Sequence, residues 1–214
     1  EEAVALTRYG KDAGADAVMV VPPYYIKPSE KELLGYYGEI AKVGLPVIVY
    51  NNPFTSKVDL SPEFLTKLNE EYSNIKYVKD ATSDSRRVHE VYRFSGGKIG
   101  VFPGNDDFVL ECFVLGGCVG WIAGTANVST RLDVDIYQYA LEKKDWNKAR
   151  ELYYKFLPWG MLVEGSPNGL AYIKAGMEMI GRKAGPPRRP MLPLDEDQKK
   201  LLRKTLIQIG VLKS

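Results

Sequence analysis

Five short apolar runs recur along the chain, and none of them alternates with polar residues. They are "AVMVVP" (17–22), "PVIVYN" (46–51), "IKYVK" (75–79), "IGVFPG" (99–104) and "CVGWIAG" (118–124). A strand with one wet face reads apolar, polar, apolar; a continuous run implies a strand covered on both faces, as in a parallel sheet. Amphipathic helical segments lie between the runs. "SEKELLGYYGEIAKV" opens with Ser29 and Glu32 at capping-box spacing, and "SPEFLTKLNEEY" offers Ser61 as N-cap with Pro62 in the first turn. "SDSRRVHEVYRFSGG" stops at paired glycines. Strand–helix alternation with short links predicts an α/β fold.

Two architectures compete, a doubly wound open sheet and a closed (β/α)8 barrel. A dinucleotide fold places a glycine fingerprint after an early strand. The turns here read "PPYY", "NNPFTS" and "DATSDS", and "GGCVGWIAG" lacks the required glycine spacing. Instead a reactive or polar side chain stands where each strand ends, which is where barrel enzymes keep their chemistry. From about residue 131 the text is helical throughout. The expected organisation is therefore a barrel portion over 1–130, then a closing helix and C-terminal helical extension over 131–214.

Composition narrows the function classes. The chain of 214 residues carries a net charge of +2 with scattered lysines and arginines. Its one dense basic run, "GRKAGPPRRP", has no interleaved aromatic residues, so it reads as a solvated connector and not a nucleic-acid patch. One histidine and two cysteines, Cys112 and Cys118, give no metal-ligand cluster and fit a reducing, cytoplasmic setting. No signal-peptide pattern or membrane-length apolar run is present. Helical spacing of Ala3, Leu6, Tyr9 and Ala13 starts at once, as in a piece of a longer chain.

Lysine is expensive to bury, yet Lys79 ends an apolar run. A period of two puts Ile75, Tyr77 and Lys79 on one face, the lumen side if the sheet closes. Desolvation at such a mouth lowers an amine's pKa from about 10.4 towards 7 or 8, making a neutral nucleophile that forms Schiff bases with ketones. A lysine with a packed stem and a wet head satisfies the same pattern. Tyr50, at the end of the preceding run, shares parity with Ile48, and its phenol could shuttle the protons of imine formation; a core aromatic is the plainer use. "PGNDD" offers Gly104 for close backbone approach, with Asp106 and Asp107 as acceptors for substrate hydroxyls or as ordinary acidic residues at a helix start.

"VVPPYYIKP", "VIVYNNP", "YVKDAT" and "GWIAGTAN", in that order, with "LPL" after the proline-rich connector, resemble the dihydrodipicolinate synthase and N-acetylneuraminate lyase family. The resemblance runs over the whole chain. It implies a (β/α)8 barrel with a helical C-terminal extension, assembled as a homo-oligomeric dimer of dimers and acting on pyruvate or a related 2-oxo acid without a cofactor. Residue by residue, it puts the Schiff-base lysine on Lys79 and the proton-relay tyrosine on Tyr50. The tyrosine that crosses the dimer interface falls on Tyr25. Ile122, Gly124 and the Gly104 turn fall in the substrate channel. Where the synthases carry a carboxylate-binding arginine, this sequence has Thr55. Five runs against eight barrel strands leave the first three βα units, with their carboxylate-binding loop, outside this chain. Aldol cleavage, dehydration and condensation all pass through one imine. Thr55 with Asp106 and Asp107 points to a hydroxylated substrate such as a 2-oxo-3-deoxy sugar acid. A hydroxyproline-pathway deaminase and a non-catalytic barrel relative serving in binding or oligomerisation are the alternatives.

Overall fold

The computed structural model describes residues 1–213. The chain divides into two compact units, Glu1–Gly104 with Glu111–Ile122, and Asn105–Leu110 with Ala123–Ser214.

The first unit is α/β. Its strands are β1 (Val18–Val20), β2 (Val47–Asn51), β3 (Ile75–Asp80) and β4 (Gly100–Pro103), all parallel and in the order β1-β2-β3-β4. Helices α1 (Glu2–Asp12), α2 (Glu30–Ala41), α3 (Pro53–Ser56), α4 (Pro62–Glu71) and α5 (Arg86–Phe94) lie between them in sequence. Two helix starts follow the sequence reading. Ser29 and Glu32 form a reciprocal capping box on α2, and the Ser61 side chain accepts from the Phe64 amide on α4. On α1 the expected apolar face is turned outward. Leu6 is 62% and Tyr9 73% exposed, while Thr7 is buried, its hydroxyl satisfied by the Ala3 carbonyl at 2.7 Å.

Register divides the sheet side chains into two sets. Val47, Val49, Val78 and Val101 are fully buried and form the core with Tyr37 and Ile40 of α2 and Leu68 of α4. Met19, Ile48, Tyr50, Tyr77, Lys79 and Phe102 occupy the other set of paired positions. The expectation that Ile75 shares a face with Tyr77 and Lys79 is corrected here. The pairing shifts between Val47, opposite Ile75, and Ile48, opposite Tyr77, so Lys76 is an extra residue. A bulge resets the side-chain alternation, and Ile75 joins the buried set.

The fifth apolar run does not form a strand. Cys118 makes an isolated parallel bridge to Val101, through bonds from the Val101 amide to Gly117 and from the Val119 amide to Val101. Gly116 and Gly117 hold φ of +76° and +82° just before it. A side chain at Gly120 would start 2.6 Å from the Phe102 ring, so the chain stays close there at the cost of strand propensity. Cys112 and Cys118 are free thiols, and burial pushes Cys112 up to about 12.

The second unit is helical: α7 (Ala126–Tyr137) running into a π turn at Gln138–Glu142, then α8 (Trp146–Glu164), α9 (Gly169–Met179) and α10 (Glu196–Gln208). Helix α6 (Val109–Val114) lies along the sequence between the two units' main segments. Ile136, Ala140, Phe156, Trp159, Leu202 and Leu206 are fully buried and make the core of the second unit. Asp195 and Gln198 cap α10 reciprocally. Among the described residues no helix is long and apolar enough to cross a membrane.

Candidate active site

The C-terminal ends of β2 and β3 bring Tyr50 and Lys79 together. The two residues are register partners on adjacent parallel strands, so their side chains leave the sheet on the same side. Lys79 Nζ stands 4.7 Å from the centre of the Tyr50 ring, within the range of a cation–π contact. Both side chains are half-buried. Tyr77 and Phe102 extend the same surface, their ring centres 5.7 Å apart. The Tyr50 hydroxyl accepts a bond from Asn52 Nδ2 at 3.1 Å, which leaves its own proton available to donate. Asn52 is fixed in turn: its Oδ1 accepts from the Thr55 amide and caps α3.

A polar network lies on the opposite side of the same strand ends, and sequence reading missed it. Asn51 is 0% exposed. Its Nδ2 donates to Asp80 Oδ2 at 2.9 Å and to Asp59 Oδ1 at 3.1 Å, and its Oδ1 accepts from the Leu60 amide at 3.0 Å. Asp80 Oδ1 accepts from the Thr82 amide and hydroxyl. Arg87 pairs with Asp59 and donates to the Leu60 carbonyl. Burial raises the Asp80 carboxyl above its ordinary range, against the bonds from Thr82 and Asn51 and the Arg87 charge. The signal was present in sequence as polar residues directly after two apolar strands, but partners 29 residues apart could not be matched without the fold.

The remaining first-unit residues of the expected site have distinct settings. Gly104 approaches the β3 end closely: its amide donates to the Asp80 carbonyl at 2.7 Å, and a Cβ there would lie 2.6 Å from that oxygen. Thr55 is exposed on α3, and Ile122 is half-buried. Tyr25 is 94% exposed, between the exposed Tyr24 and Ile26 on the segment joining β1 to α2.

Within the second unit, Asp106 is 1% exposed and its Oδ2 accepts from the Thr125 amide at 2.8 Å. Its own amide donates to Glu164. Asp107 is half-buried, and its main-chain carbonyl accepts from the Tyr153 hydroxyl at 2.6 Å. A Cβ on Gly124 would sit 3.5 Å from Asp106 Oδ2. Asp133, also unanticipated, accepts from Thr125 Oγ1 at 2.8 Å and Ser129 Oγ at 2.5 Å. Burial chiefly, with the nearby Asp106 charge, raises it to about 7, against the two hydroxyl bonds.

Compared with known protein families, residues 1–209 match the Dihydrodipicolinate synthetase family. The chain belongs to that family. It is 38% identical to the 4-hydroxy-tetrahydrodipicolinate synthase of Methanocaldococcus jannaschii, covering 99% of this chain and 72% of that protein. The protein of the same name from Methanopyrus kandleri is also 38% identical, with 99% and 70% covered. Among solved structures, dihydrodipicolinate synthase from Aquifex aeolicus superposes with a TM-score of 0.91 at 29% identity, over 99% of this chain and 72% of that one. The chloride-inhibited synthase from Acinetobacter baumannii, solved in complex with pyruvate, gives 0.89 at 34% identity with 99% and 72% covered. The dihydrodipicolinate synthetase family neighbours are TIM barrels, and the parallel sheet of the first unit agrees with that fold.

Proposed function

We propose that this chain is the lysine-bearing part of a Schiff-base lyase acting on pyruvate or a related 2-oxo acid. The observation that carries the reading is the in-register pair Tyr50–Lys79 at 4.7 Å, in a member of this family. The Lys79 nitrogen lone pair attacks the keto carbon, and the carbonyl oxygen takes a proton to give a carbinolamine. Tyr50 supplies that proton and relays the next one, so that the hydroxyl leaves as water and an iminium remains. The iminium draws electrons from C3. Loss of a C3 proton gives an enamine that attacks an aldehyde carbon; breaking the C3–C4 bond is the same step reversed. Water then adds to the imine carbon and frees the lysine.

In this reading Gly104 and Ile122 line the substrate channel and Tyr25 serves an adjoining subunit of a dimer of dimers. The exposed Tyr24, Tyr25 and Ile26 support such an apolar contact. Thr55 in the arginine's place favours a hydroxylated 2-oxo acid over aspartate semialdehyde. Asp106 accepts from the Thr125 amide within the second unit, so that carboxylate oxygen is already engaged. The four paired strands are read as part of an eight-stranded barrel whose other βα units lie in further sequence, with α8, α9 and α10 in the C-terminal helical extension. The cytoplasm is the compartment that suits free thiols and a metabolic substrate.

The testing experiment is borohydride reduction in the presence of a panel of 2-oxo acids, followed by peptide mass spectrometry. An adduct on the Lys79 peptide supports the reading; an adduct on a different lysine overturns it.

A further inference from the structure

We propose that Asn51 is a positioning residue that holds Tyr50 above Lys79 by bonding across the strand ends to Asp80. The proposal rests on the Schiff-base reading of Lys79 and adds a group that never touches the substrate.

The pair Tyr50–Lys79 lies one register step before the last paired residues of β2 and β3, which are Asn51 and Asp80. Strand ends are where ladder bonding stops and neighbouring chains can slide or splay. Here the last step carries a side-chain bond as well. Asn51 Nδ2 reaches Asp80 Oδ2 at 2.9 Å, and the Asn51 carbonyl accepts from the Ala81 amide at 2.9 Å. The same carboxamide ties β2 to the segment before α4 through Asp59 and Leu60, and Arg87 of α5 anchors Asp59.

The neighbours dictate an amide at this position. Two carboxylates and one main-chain N–H converge on the Asn51 side chain, so the group must offer two donors and one acceptor. Aspartate would set a third carboxylate against Asp80 and Asp59. Leucine would remove the partner of the buried Leu60 amide and of Asp80 Oδ2, and one bond to the exposed, Arg87-paired Asp59. Because Tyr50 and Lys79 are the residues next to Asn51 and Asp80 in each strand, a slip between the two ends moves the phenol relative to the amine directly.

The test compares the complete protein with Asn51→Asp, and with Asn51→Asp/Asp80→Asn, which restores one amide–carboxylate pair with the donor on the other strand. Two readouts are taken. The first is the rate of borohydride trapping at Lys79 with saturating pyruvate, where affinity does not enter. The second is the 13C signal of Lys79 Cε in lysine-labelled protein, shifted upfield by the Tyr50 ring and identified by its loss in Lys79→Arg and displacement in Tyr50→Leu. The expected result is that Asn51→Asp still unfolds cooperatively, loses most of the upfield shift and traps at least tenfold more slowly. The exchange regains the shift and traps within threefold of wild type. Retention of both shift and rate in Asn51→Asp overturns the proposal, and so does a cooperatively folded exchange variant that regains neither. If Asn51→Asp does not fold, the exchange variant decides on the same two readouts. If wild type gives no adduct on Lys79, the Schiff-base reading fails, and the Lys79 Cε signal still decides whether Asn51 sets the contact.

Discussion

Lys79 lies 4.7 Å from the centre of the Tyr50 ring because β2 and β3 place the two residues opposite each other at their C-terminal ends. The relationship is set by main-chain register, so both side chains leave the sheet as neighbours before any substrate arrives. The Tyr50 oxygen accepts from Asn52, so its own proton points away from that bond and is free for the proposed relay role.

Tyr50→Phe keeps the ring over the amine and removes the proton. Turnover of the preferred 2-oxo acid should fall by about 10²-fold or more, the usual contribution of a general acid–base group. The stability of the fold should change little, since Tyr50 is half-buried and its hydroxyl is bonded only to Asn52 among the described residues. Steady-state kinetics beside a denaturant titration checks both halves.

Thr55 predicts weak synthase activity. An arginine–carboxylate bond contributes about 1.5–3 kcal/mol, which is roughly ten- to over a hundredfold in rate. With pyruvate and aspartate semialdehyde the specificity constant should stay below about 10⁴ M⁻¹s⁻¹, the lower end of the ordinary enzyme range. Thr55→Arg should raise it at least tenfold. The synthase name carried by relatives at 38% identity makes this a sharp test, because a fast wild-type condensation would put this chain's activity with theirs.

Asp133 makes stability depend on pH. Its folded pKa of about 7 lies above its ordinary 3.8, so the stabilisation is complete below pH 3.8 and is lost as pH rises towards 7. Between pH 5 and pH 8 that loss is on the order of 2–3 kcal/mol. Asp133→Asn does not titrate. Denaturant unfolding at the two pH values should show the variant gaining on wild type by roughly that amount as pH rises. An unchanged difference would mean the hydroxyls of Thr125 and Ser129 hold Asp133 ionised throughout.

Tyr24, Tyr25 and Ile26 predict self-association. Ile26 is 74% exposed, so Ile26→Glu should leave the folded subunit intact. A carboxylate forced into an apolar contact costs several kcal/mol unless paired, and subunit association should weaken at least tenfold. Sedimentation velocity over a dilution series measures it. Unchanged association would place the contact elsewhere on the surface.

Much of this was legible in the sequence, for identifiable reasons. The runs at 46–51 and 75–79 predict parallel strands, and both are, although only one face of each is fully buried. The capping residues Ser29 and Ser61 act within four residues of themselves, so spacing alone finds them. What failed depended on partners far along the chain. Ile75 obeys the period-two rule only until a bulge at Lys76 shifts its pairing with Val47. The run at 118–124 has a strand's composition, but the glycines before and within it leave a single bridge. Leu6 and Tyr9 sit on a helix face that the first unit leaves open, while Thr7 is buried after bonding its own helix. The pair Tyr50–Lys79 could be proposed because each stands near the C-terminal end of an apolar run; the Asn51–Asp80 bond behind it could not, because nothing local marks either residue as the other's partner.

The most direct test of the account is the identity of the trapped lysine. The complete protein is incubated with pyruvate, reduced with borohydride, digested and mapped by mass spectrometry, alongside Lys79→Arg, whose guanidinium stays protonated and cannot form the imine. The account predicts a reduced pyruvate adduct on the peptide carrying Lys79, and neither adduct nor turnover in the variant. An adduct on another lysine, or turnover that survives Lys79→Arg, would contradict it.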